Sequence, residues 1–121
     1  MRIDVIEQNN IRIAVISSEE LVITDVQAAL DFMATVRYEV DCDRMIVDKS
    51  AVCEDFFHLS TKLAGDILQK FINYGVKIAF IGDYSTYTSK SLKDFIYECN
   101  KGKDFFFLQD EKQAIEKLSS I

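Results

Sequence analysis

Apolar and polar side chains alternate twice near the start of the chain. Ile3 and Val5 are interleaved with Arg2 and Asp4; Ile11, Ile13 and Val15 are interleaved with Arg12 and Ala14, and Gln8-Asn9-Asn10 stands between the two runs. A period of two interrupted by turn residues predicts a β-hairpin. The period then changes. Thr24 stands three residues before Gln27, and Val26, Ala29, Leu30, Met33, Val36 and Val40 recur at helical spacing, which predicts a capping box and an amphipathic helix from about Asp25 to Glu39. The acidic turn EVDCD leads into Met45, Ile46 and Val47, a short buried strand closed by Asp48 and Lys49.

Phe56, Leu59, Leu63, Ile67, Phe71 and Tyr74 again repeat at helical spacing, so the main helix is expected to open near Phe56 and to end at Gly75 in a left-handed cap. Residues 76 to 82, VKIAFIG, are apolar at nearly every position, as in a central parallel strand covered on both faces. A Thr88-Ser89 cap precedes Leu92, Phe95, Ile96 and Cys99 on one helical face, with Gly102 closing that helix. Phe105 to Leu108 form a last apolar strand, and Asp110 with Gln113 opens a final helix carrying Ala114, Ile115 and Leu118. The order β-β-α-β-α-β-α-β-α predicts an α/β fold with a single mixed five-stranded sheet, parallel after the hairpin, because each strand-helix-strand step is a crossover.

At 121 residues, 49% hydrophobic and 28% charged, the chain fits one globular domain over residues 1–121. No apolar run approaches the roughly 20 residues of a membrane span, and MRIDVIEQ is too polar for a signal peptide, so a cytoplasmic protein is expected. Cys42, Cys53 and Cys99 are odd in number and lack CxxC spacing, which argues for reduced thiols and against a zinc ribbon. The net charge of −6 is uneven: residues 1–60 carry twelve Asp or Glu against five Lys or Arg, and residues 61–121 carry eight against nine. Nucleic acid would be repelled by the first half and meet only dispersed lysines in the second.

In an open α/β sheet the chemistry collects beyond the C-terminal ends of the parallel strands. Two loops qualify, Asp48-Lys49-Ser50-Ala51 and the hydroxyl-rich Gly82-Asp83-Tyr84-Ser85-Thr86-Tyr87-Thr88-Ser89-Lys90. Hydroxyls and unpaired N–H groups at a helix start, with Lys90 beside them, suit an anion, although the same residues are ordinary turn and cap material. Asp48, Ser50, Asp83, Tyr84, Ser85, Ser89 and Lys90 therefore form the candidate binding surface, and Tyr84 and Tyr87 could offer stacking faces. Arg2 is expected at the other end of the sheet. Ser50, His58 and Asp83 supply the residue types of a hydrolytic triad, but no GxSxG elbow surrounds any serine and His58 is placed near a helix start. Cys53 precedes Glu54 and Asp55, whose negative charges disfavour a thiolate nucleophile. Neither GxGxxG nor GxxxxGK[ST] occurs. No catalytic residue, metal site or cofactor is assigned.

The stretch FFHLSTKLAGDILQKFINYGVKIAFIGDYSTYTSKSLKDFIYECNKG, residues 56 to 102, resembles the bacterial family named domain of unknown function 4180. The shared features are an FF-L-T-LAG helix start, a QKF-NY helix end, an IGD turn and an SKSL-DFI-E-N-G helix. The chain departs from that pattern at His58 and Lys62. The order of elements also resembles the STAS domain of sulfate transporters and anti-sigma-factor antagonists. That second resemblance implies a serine after the third strand, at the start of the next helix, phosphorylated to switch binding of a partner kinase. By position it is Ser50 in IVDKSAV, where Glu54 and Asp55 would repel a phosphoryl group.

A regulatory or protein-interaction module without enzymatic activity accommodates the missing motifs. The alternative is a small-ligand or anion-binding domain, or a minor enzyme, using a pocket between the loops after Asp48 and Gly82. The apolar Phe105–Leu108 strand, read as a sheet edge, would invite pairing into a homodimer.

Overall fold

A computed structural model describes residues 1–121. Five strands, β1 (Arg2–Gln8), β2 (Ile11–Ser17), β3 (Arg44–Asp48), β4 (Lys77–Ile81) and β5 (Phe105–Leu108), lie side by side in the order of the chain. β1 pairs with β2 antiparallel, and the remaining neighbours are parallel. The hairpin turn is closed by Asn9 and Asn10 alone, both at positive φ (55° and 64°), the type I′ conformation that matches strand twist and that asparagine tolerates.

Four helices, α1 (Val26–Val40), α2 (Leu63–Asn73), α3 (Lys90–Lys101) and α4 (Glu111–Leu118), cover this sheet unequally. The crossovers from β2 through β5 all step in one direction, and connections of one hand then place α1, α2 and α3 on the same face. Strand alternation supplies the matching surface. Ala14, Ile16, Met45, Val47, Ile78, Phe80 and Phe107 pack into one large core with Phe32, Val36, Ile67, Phe71 and Leu92 of those helices. The alternate residues Ile13, Val15, Ile46, Ala79 and Phe106 face the other way, and only α4, through Ala114 and Leu118, covers them. Arg44 donates to the Leu118 carbonyl and Gln8 to the Ser119 hydroxyl, so the end of α4 is tied to the middle strand and to the hairpin. No helix is long and apolar enough to cross a membrane.

Several expectations are corrected by local geometry. Asp25, and not Thr24, caps α1, its carboxylate accepting from the Ala28 N–H at 2.7 Å. The main helix does not open near Phe56. Three short 3-10 turns, Lys49–Ala51, Glu54–Phe57 and Leu59–Thr61, come first, and α2 starts at Leu63 behind Lys62 in the left-handed region (φ 63°). These turns carry Phe56 and Phe57 down into the core while Cys53 and Ile23 lace the segment to the β2–α1 loop through the Cys53 N–H to Ile23 C=O bond. Gly75 does take the left-handed conformation after α2 (φ 68°). The apolar strand over residues 77–81 is buried on both faces, as its composition requires, but β3 is the middle strand.

Candidate functional site

β3 and β4 pair up to Asp48 and Ile81, so the loops that follow leave the sheet side by side. Asp48 accepts from the Ser50 N–H at 2.9 Å and Asp83 from the Ser85 N–H at 2.9 Å, two Asx turns that fix both loop openings. Ser85, through its hydroxyl and its N–H, holds the Asp83 carboxyl below the usual range, with a smaller contribution from Lys49. Ser89 is spent on capping α3, accepting from the Leu92 N–H at 3.2 Å.

The space expected between these loops is filled by the chain itself. The stem of Lys49 lies against Gly82, where a Cβ would stand 2.7 Å from Lys49 Cγ, and the backbone there has φ 154°, which L side chains rarely adopt. Its ammonium sits 4.6 Å from the ring centre of Tyr87 and 5.5 Å from that of Tyr84. The two tyrosines stack on each other with centroids 6.1 Å apart and both pack on Phe57. Phe56, Phe80, Phe95 and Phe107 continue this aromatic cluster into the core. Tyr84 donates to the Phe80 carbonyl at 2.9 Å, and burial pushes its phenol well above the usual range. Tyr87 donates to Glu54 at 3.4 Å; burial first, and the Glu54 charge second, raise its pKa. The tyrosines are therefore inward braces of the loop and not free stacking faces.

The candidate residues thus separate. Asp48, Ser50, Asp83, Tyr84 and Ser85 meet at one end of the sheet. Lys90 lies on the first turn of α3, pairs with Asp94 at 2.7 Å with its side chain 88% exposed, and that bond raises its pKa. The cation between the loops is Lys49. Sequence spacing gave no sign of it, because its role arises from contacts with Gly82, Tyr84 and Tyr87 far along the chain. Ser50 is exposed in the Lys49–Ala51 turn, and the 3-10 turns separate it from the start of α2, so it does not occupy a helix N-terminus. His58 is exposed between two of those turns and makes no side-chain hydrogen bond to Ser50 or Asp83. Arg2 is not at the other end: it pairs with Ser17 at the C-terminal end of β2 and lines an open polar hollow of about 610 Å³ with Ser18, Glu19 and Glu20.

An opening does exist one strand further on. The loop after β4 turns toward α3 on one face, and the loop after β5 turns toward α4 on the other. Where neighbouring loops part in this way a crevice is left between them. Here it is a shallow hollow of about 300 Å³ lined by Asp83, Tyr84, Ser85, Phe107, Leu108 and Gln109. Its single charged group is a carboxylate, so it suits donors and not phosphate.

The far side of β5 is closed at one position. Asn100 accepts from the Phe107 N–H at 2.7 Å and donates to the Phe107 C=O at 3.1 Å, so the side chain of α3 satisfies an outward-facing peptide group of this edge strand. β5 is the edge, as read, but at Phe107 it has no groups left for another strand.

The model of the family described as domain of unknown function (DUF4180) matches residues 8–118, nearly the whole chain. The chain belongs to that family. This DUF4180 domain therefore includes every loop described above. No curated protein and no solved structure matches it.

Proposed function

We propose that the domain is a non-enzymatic, cytoplasmic protein-interaction module whose contact surface is the loop end of the sheet, from Ser50 to the Asp83–Ser85 turn. The observation that carries this reading is the filling of the gap between the loops by Lys49, Tyr84 and Tyr87. A gap packed with the chain's own side chains leaves a braced surface with exposed polar groups, which serves docking better than enclosure of a substrate. The partner is proposed to be a protein and not nucleic acid, since the domain is acidic overall and Lys90, the exposed lysine at the start of α3, is paired with Asp94. The order of elements is the one on which the STAS resemblance rests, and that resemblance supports a regulatory role. Ser50 stays accessible for phosphorylation, now as a modification of an exposed turn.

The hollow between the β4 and β5 loops supports a second reading, a small polar ligand donating hydrogen bonds to Asp83 and Gln109. Capture from native extract separates the two. The native chain and a Glu39→Arg control should retain the same discrete protein, and Ser85→Arg should lose it. Retention by Ser85→Arg, or no retained protein together with a thermal shift from a small-molecule fraction, overturns the interaction reading.

A further inference from the structure

The two edges of the sheet are treated differently. β5 is four residues long and Asn100 occupies the outward peptide groups of Phe107. β1 is seven residues long, and no side chain bonds to its outward face. Its phase follows from the turn. Gln8 and Ile11 flank a two-residue loop and so form a hydrogen-bonded pair, which makes Ile6–Ile13, Asp4–Val15 and Arg2–Ser17 hydrogen-bonded as well. Ile3, Val5 and Glu7 then point their N–H and C=O groups away from the sheet. Natural edges of this length are usually guarded by an inward lysine, a proline or a bulge. β1 carries exposed charges at Arg2, Asp4 and Glu7 but no lysine, proline or bulge, its register with β2 is unbroken, and Val5 at its centre is 38% exposed.

We propose that β1 is a self-association edge, pairing antiparallel with β1 of a second copy of this chain about a two-fold axis at Val5. An axis perpendicular to the sheet keeps the faces of both copies aligned, so only registers centred on a residue are allowed. The Val5-centred register sets Arg2 against Gln8, Ile3 against Glu7, Asp4 against Ile6 and Val5 against its own counterpart. All seven residues are paired and no like charges are opposed. Centring on Asp4 would oppose two carboxylates, and centring on Ile6 would leave Arg2 and Ile3 against the hairpin turn. In the Val5 register the outward groups of Ile3, Val5 and Glu7 make about six backbone hydrogen bonds, and one sheet runs through both copies. This dimer leaves the loop surface of the proposed function untouched in its hydrogen bonding, and the two proposals fail separately.

The test measures molar mass by sedimentation over a range of concentrations. The native chain should be a dimer at about 100 μM, corresponding to micromolar or tighter affinity. Val5→Lys and Val5→Glu each place like charges on the axis and should weaken association at least about tenfold, with circular dichroism and denaturation midpoint close to the parent. Mixing the two variants should restore the dimer, because opposite charges then face each other. A native chain that is monomeric at that concentration overturns the proposal. So does a dimer insensitive to both variants, or a loss that mixing fails to restore.

Discussion

The stem of Lys49 rests on the bare Cα of Gly82, 2.7 Å from where a methyl group would stand. A side chain at residue 82 would both displace Lys49 from Tyr87 and force an unfavourable backbone conformation. Gly82→Ala is expected to cost about 1 to 3 kcal/mol, and Lys49→Ala about 0.5 to 1 kcal/mol for the lost cation–π contact. The double variant should lose less than the two single losses added, since removing the lysine removes the clash. Urea denaturation of the four proteins checks this; strict additivity would mean that the contact is not formed.

Asn100 closes the outward groups of Phe107 on the β5 edge with one side chain. Asn100→Ala leaves the Phe107 N–H and C=O without partners and should cost about 1 to 3 kcal/mol. With both sheet edges then open, species larger than a dimer should grow with concentration. Light scattering reads this directly, and an unchanged size distribution would show that the strand is protected by something other than Asn100.

Burial against the core, with Glu98 adding a smaller share, pushes the Cys99 thiol from its ordinary value of 9.0 up to about 11. In the unfolded chain the thiol loses its proton near pH 9, and in the folded chain it does so about two units higher. The folded form therefore holds more protons in that window, and stability present below pH 9 should fall as the pH rises through 11. Burial raises Tyr84 and Tyr87 as well, extending the loss to higher pH. Cys99→Ala should flatten the first part of the curve of denaturation midpoint against pH; a profile identical to the parent would contradict a half-buried, protonated thiol.

The hairpin, β4, β5 and the caps at Ser89 and Asp110 were legible in the sequence because their signals are local: a period, a turn pair, a hydroxyl or carboxylate three residues before the N–H it accepts from. The start of α2 was not. Phe56 and Leu59 keep helical spacing with Leu63, yet the chain there is bent into 3-10 turns that seat Phe56 and Phe57 under the loops, a tertiary demand that overrides periodicity. Asp48 and Asp83 were placed at one end correctly, since parallel strands of known direction fix their ends. Which lysine faces the loops is not local information: it depends on Gly82 being bare, which admits Lys49, and on Asp94 lying one turn after Lys90. Arg2 stands at the loop end and not opposite it, because the antiparallel turn returns the start of β1 there.

The claim that the loop end of the sheet is the contact surface is tested most directly by a photoreactive amino acid placed in living cells at Thr86, in the exposed loop, and separately at Glu39, exposed near the end of α1. Irradiation should give one discrete protein adduct from Thr86 and none of that mass from Glu39. An adduct from Glu39 with none from Thr86 would contradict the account.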